Sequence, residues 1–236
     1  MRPFPRADSS MPDFAPITNA WGLTKVLHEW NRGATDAELS KAEQAVGRSL
    51  PRELKAVYRL SDGISLLEGN LNFVSLQPKR GYPGLVNLSG KLRQWKWPIP
   101  HELVMFGDDG ADEQFGIWLP ACSAADEPHP IIEVGEIFEP RSFAVIGTNL
   151  VPFLRVWTAY YAVICLGDTD PQAVQRALEA IGVPRTLRDM EPDDPLLESL
   201  FSWADPSLPD HLPDPYQRGL TAEQLRANYG SSREAS

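Results

Sequence analysis

The apolar positions of the N-terminal quarter recur at helical spacing. Leu23, Val26, Leu27 and Trp30 follow the i, i+3, i+4, i+7 pattern of one buried face, which predicts a first helix over residues 18–31, ended by Gly33. Leu39, Ala42 and Val46 form the stripe of a second helix. Thr35 and Glu38 stand in the S/T-x-x-E relation, in which each side chain meets the other's free backbone N–H, and Gly47 sits where a left-handed C-cap belongs. Pro51 suits the first turn of a third helix, with Leu54, Val57 and Tyr58 facing inward and Ser61-Asp62-Gly63 stopping it.

From Gly69 onward the apolar runs shorten. Residues 71–76, 103–106, 115–119, 131–134, 137–138 and 143–146 read as strands. Residues 78–84 are a loop broken by Gly81 and Pro83-Gly84. Residues 107–110 are a polar turn, 126–130 a longer loop, and Gly135 a tight turn or bulge. Two helices follow. Leu150, Phe153, Leu154, Trp157, Tyr161 and Ile164 form a face wide enough to lie on a sheet. Asp170-Pro171 then opens a short helix with Val174, Leu178 and Ile181 inward and Gly182 at its end. Helices, then strands, then helices is the order of an α+β fold, an antiparallel sheet packed by N-terminal and C-terminal helices, not of a doubly wound one.

The flanks differ in kind. Residues 1–16 are a proline-interrupted, flexible lead-in with no apolar run, so they are not a signal peptide. Residues 17–183 form the α+β domain, and 184–236 an acidic, proline-rich C-terminal extension. Within it, residues 190–216 hold seven carboxylates and no Lys or Arg. The apolar island 196–203 interrupts this acidic stretch. A free tail exposing Phe201 and Trp203 invites aggregation, so the island is expected to strap onto the core.

The net charge of −10 opposes general nucleic-acid binding, which needs surplus Lys and Arg, and suits either plain solubility or a basic partner. Cys122 and Cys165 lie far apart without a CxxC spacing, as reduced thiols of a cytoplasmic protein would. The apolar stretch 150–166 carries Pro152 and Arg155, which points to a buried helix and away from a membrane span.

Several of these residues together resemble the SUKH superfamily of bacterial immunity proteins. The opening of that superfamily is matched by Ala34-Thr35-Asp36-Ala37-Glu38-Leu39, Glu43, Gly47, Leu50-Pro51, Tyr58 and Ser61-Asp62-Gly63. Its hairpin is matched by residues 104–110 with Asp112 and Phe115, and its closing helix by Phe153-Leu154. The resemblance covers about residues 21–164. It implies helices packed on an antiparallel sheet and no catalytic residues, and the residues themselves suggest no cofactor and no metal site. It also implies a protein partner: a toxin that the domain neutralises, or, as in the cell-wall assembly regulators of the same superfamily, a wider set of proteins served by a housekeeping scaffold or regulator. This chain departs from the pattern in an extra acidic residue in the hairpin and a long loop over residues 78–98.

Two candidate partner-binding features stand out. Asp108, Asp109, Asp112 and Glu113 concentrate negative charge in one turn. Gly110 occupies a position where a calcium loop needs a ligand, so the choice lies between an Asp-Gly turn, which comes first, and an acidic patch for a basic toxin. Trp95 and Trp97 stand among Lys79, Arg80, Lys91, Arg93 and Lys96. They are read first as a lid packed on the sheet, next as an interface, and last as a nucleic-acid stacking surface. His28, His101, His129 and His211 are scattered. No G-x-S-x-G elbow, P-loop or G-x-G-x-x-G is present. The expectation is a non-enzymatic, cytoplasmic protein-binding domain, independent of membranes and nucleic acid.

Overall fold

The computed structural model describes residues 14–24, 27–79, 81–97, 99–111, 113–121, 129–135, 143–207 and 219–230. Among the described residues, seven strands form one antiparallel sheet in chain order: β1 (Glu29–Trp30), β2 (Ile64–Leu66), β3 (Leu71–Phe73), β4 (Leu103–Asp108), β5 (Glu113–Trp118), β6 (Ile131–Gly135) and β7 (Phe143–Gly147). The fold is α+β, with α1 (Ala15–Leu23), α2 (Asp36–Val46), α3 (Arg52–Leu60) and α4 (Leu85–Gln94) before or between strands, and α5 (Leu150–Leu166) and α6 (Pro171–Ala180) after them. Every residue of β6 and β7 is buried. The sheet is therefore covered on both faces rather than half-solvated, as many antiparallel sheets are.

The predicted first helix is divided. α1 stops at Leu23, and Trp30 instead pairs with Ile64 as part of an edge strand. Leu23 is left exposed, while Leu27 and Trp30 rest partly buried against the core. Sheet pairing prevails over a helical period that runs about two turns too far, because the backbone at Trp30 finds partners on β2. α2 has the expected capping box between Thr35 and Glu38 and a left-handed Gly47. α3 starts one residue later than Pro51 suggests, with the proline as N-cap.

The stretch 78–98 is not one long loop, since α4 occupies its middle. Gly84 and Asn87 cap its first turn, with the Asn87 side chain accepting from the Gly84 N–H at 2.9 Å. Leu85, Leu88 and Leu92 are its buried face. The hydroxyl of Ser89 donates to the Leu103 carbonyl at 3.2 Å and accepts from the Met105 N–H at 3.0 Å. β3 ends at Phe73 and reaches only the far end of β4. α4 thus satisfies the strand edge that the short β3 leaves open.

α5 lies on the sheet through an aromatic cluster. The Phe153 ring stands 5.2 Å from Phe115 and 6.2 Å from Phe106, and Trp157 is 6.1 Å from Phe115. Ile164, expected on this face, is instead 45% exposed near the helix end. Thr158 of α5 accepts from the indole N–H of Trp21 at 2.9 Å in the interior, joining α1 to α5. Beyond α6, a short α7 (Arg185–Arg188) leads to α8 (Asp194–Ala204), which buries Leu196, Leu197, Leu200 and Phe201 against α5. α9 (Ala222–Tyr229) buries Leu225, and Leu220 just before it bridges to Phe143 of β7. The strand expected at 137–138, Cys122 and His211 fall outside the described residues. No described helix is long and apolar enough to cross a membrane.

Candidate protein-binding surface

The acidic hairpin is built by its own carboxylates. Asp108, which ends β4, accepts at Oδ1 from the Gly110 N–H at 2.9 Å and from the Asn72 side chain at 2.8 Å. Asp109 Oδ1 accepts from the N–H groups of Ala111 at 2.9 Å and Glu113 at 3.1 Å. These local bonds are how short acidic side chains fold a turn. Gly107 and Asp108 belong to the strand, so the turn begins two residues later than the range 107–110 suggests. Asp108, Asp109 and Glu113 are half-buried, and Asp112 lies outside the described residues.

Backbone packing decides where this turn sits. A Cβ on Gly107 would come within 1.9 Å of the Asn72 carbonyl oxygen, and one on Gly110, at φ +78°, within 2.3 Å of the Gly69 carbonyl oxygen. Only glycine permits such approaches. They bring the hairpin onto the turn formed by Leu67, Glu68 and Gly69, where Glu68 is exposed in a left-handed conformation at φ 59°. Glu68 therefore adds to the acidic end. Its place depends on the β3–β4 pairing, and forty residues of separation hide it in the sequence. Cys165, in the last turn of α5, lies on the same turn, its thiol donating to the Leu67 carbonyl. Burial, and then the charge of Glu68, push the thiol's pKa upward, which keeps it protonated and a poor nucleophile.

Trp95 and Trp97 precede the start of β4, whereas the acidic turn follows its end, and a strand of that length extends roughly 17 Å. The structure does not bring them together with the acidic turn. Trp95 caps α4 and is 61% exposed, whereas Trp97 packs partly against the core. The packed-lid reading fits Trp97 but not Trp95. Lys79 of the basic stretch is held by Asp62 at 2.6 Å.

The motif residues of the α2–α3 segment serve the architecture. Glu43 Oε1 accepts from the Leu50 N–H at 2.9 Å and from Lys55 Nζ at 3.0 Å, fixing the turn that Gly47 begins. Asp62 accepts from the Leu76 N–H at 2.7 Å, tying the end of α3 to the segment after β3. Tyr58 is fully buried, and its phenol's pKa is raised first by burial and then by Asp62. Among the described residues, no group of three or more His, Cys, Asp or Glu side chains is placed to hold a metal ion.

Comparison with curated proteins finds no match. The family model described as SMI1 / KNR4 family (SUKH-1) matches residues 33–155, just over half the chain. That span runs from the segment before α2, through the glycine-dependent hairpin, to the first turns of α5. By that match, the chain belongs to the SMI1 / KNR4 family (SUKH-1).

Proposed function

We propose that this chain is a non-catalytic domain that binds a basic partner toxin and neutralises it by occlusion. Domains of this family are generally non-catalytic and engage protein partners, which supports the coarse part of the reading. The observation that carries the finer part is the acidic end, where Asp108, Asp109, Glu113 and Glu68 converge on two adjoining turns. Toxins that act on nucleic acids carry basic active sites because they must bind phosphates, and a carboxylate-rich turn complements such a site. The exposed Trp95 favours a second reading, a housekeeping scaffold with more than one partner, because it offers an aromatic anchor remote from the acidic turn.

Co-expression with the product of the neighbouring gene in a sensitive host tests the proposal. Rescue of growth, with a one-to-one complex weakened by the paired change Asp109→Asn and Glu113→Gln, is the expected result. A complex indifferent to those changes removes the acidic end from the reading. Substrate turnover by the purified chain, lost on a single point change, removes the reading altogether.

A further inference from the structure

We infer a second binding site, for an acidic segment of a partner protein, in the groove between the C-terminal end of α2, α4 and the start of β4. The groove encloses about 380 Å³ and is lined by Arg48, Lys91, Arg93 and His101, with Asn87 and Ser89 between them. No carboxylate lines it among the described residues, in a chain whose net charge is −10.

Six cations elsewhere among the described residues, Arg32, Lys55, Arg59, Lys79, Arg188 and Arg226, are matched by carboxylates. Arg48, Lys91 and Arg93 form no ion pair among the described residues. The neighbouring Glu102 is engaged by Arg226 at 2.7 Å and feels Arg48 only through its field. The guanidinium groups are also held in place. Arg48 donates to the Leu119 carbonyl, and Arg93 donates to the Ile99 and Pro100 carbonyls at 3.2 Å each. Each arginine is anchored through one terminal nitrogen and keeps further N–H donors for a ligand. An anchored fork loses little freedom on binding, and its geometry matches a carboxylate.

The occupant follows from charge. A carboxylate-bearing peptide needs only this local potential, whereas a nucleic-acid strand would extend over a surface of strongly negative total charge. The groove adjoins the start of β4, and the acidic hairpin lies at the end of that strand, so the two surfaces bind independently.

The test is fluorescence anisotropy of the full chain with a labelled oligoglutamate peptide and, separately, an oligothymidylate of equal charge. We expect peptide binding at low salt that is abolished at about 0.5 M salt. Lys91→Glu, at an exposed position, weakens it about tenfold, and Arg48→Gln acts in the same direction. Arg176→Glu, on the exposed side of α6, leaves it unchanged, as does Asp109→Asn with Glu113→Gln. Melting curves verify that each variant is folded, and Lys91→Glu alone decides if Arg48→Gln is not. Absence of peptide binding at low salt, equal effects of Lys91→Glu and Arg176→Glu, or tighter binding of the oligothymidylate overturns the inference. None of these outcomes bears on the acidic-end reading.

Discussion

The Nδ1 atom of His28 accepts a hydrogen bond from the backbone N–H of Leu67 at 3.0 Å. An acceptor nitrogen carries no proton, so the proton is on Nε2. Nε2 then donates to Thr24 Oγ1 at 2.8 Å, and that hydroxyl donates onward to the Ala20 carbonyl at 3.1 Å. The chain of bonds fixes a neutral imidazole beneath the left-handed turn Leu67–Gly69.

This arrangement sets a pH dependence. Burial lowers the His28 pKa to about 4 from 6.5. The unfolded chain takes up a proton near pH 6.5, and the folded chain resists until about pH 4. Stability from this residue is therefore complete above pH 6.5 and is lost as the pH falls towards 4, by on the order of 2–3 kcal/mol. Urea unfolding at pH 7, 5.5 and 4.5 measures it. His28→Gln should be less stable at pH 7 and should lose less stability than the native chain across this window.

Glu43 serves the Leu50 N–H and the Lys55 ammonium with one oxygen. Glu43→Ala leaves that N–H without its acceptor and should cost about 1–2 kcal/mol. Glu43→Gln keeps an acceptor oxygen and should cost less. Chemical denaturation midpoints distinguish the two, and equal losses would show that charge matters more than the hydrogen bond.

Asp108 and Asp109 each combine a turn-building bond with a charge, and the two contributions are separable. Asp108→Asn with Asp109→Asn preserves the Oδ1 acceptors and should leave the melting temperature close to native. The corresponding alanine pair removes the acceptors and should cost about 1–2 kcal/mol. The asparagine pair tests binding on a folded chain.

α8 covers α5, with the Phe201 ring 6.2 Å from Trp157 and Asp205 accepting from the Thr148 N–H at 2.6 Å. Leu200→Ala should destabilise the fold by about 2–4 kcal/mol through the cavity it leaves. Removal of residues 190–236 should expose the aromatic face of α5 and cause aggregation, measured by light scattering. A monomeric truncated chain with native stability would show that α8 is dispensable.

Local chemistry made much of this fold legible. The capping box at Thr35 and Glu38, the left-handed Gly47, the Asp170-Pro171 helix start and the strands of the 103–147 region depend on neighbours a few residues away, and those neighbours are visible in the chain. The SUKH-like glycines and acids were readable for the same reason, because Asp108 and Asp109 fold their own turn. The elements misread were those whose partners are remote. Trp30 follows a helical period but joins Ile64, and α4 lies in a stretch bracketed by prolines that look like loop punctuation.

An α+β chain with helices before and after an antiparallel sheet is readable from the residues alone, because side-chain periodicity and capping are local properties of the backbone. Which charged and polar groups stand together depends instead on how the elements pack. Glu68 joins the acidic hairpin through glycine contacts across β3 and β4, while Arg48, Lys91, Arg93 and His101 meet because α2, α4 and β4 enclose one groove. Electrostatic and hydrogen-bonding partners are chosen by distance in space, and that distance is set when the elements pack, not by their order along the chain.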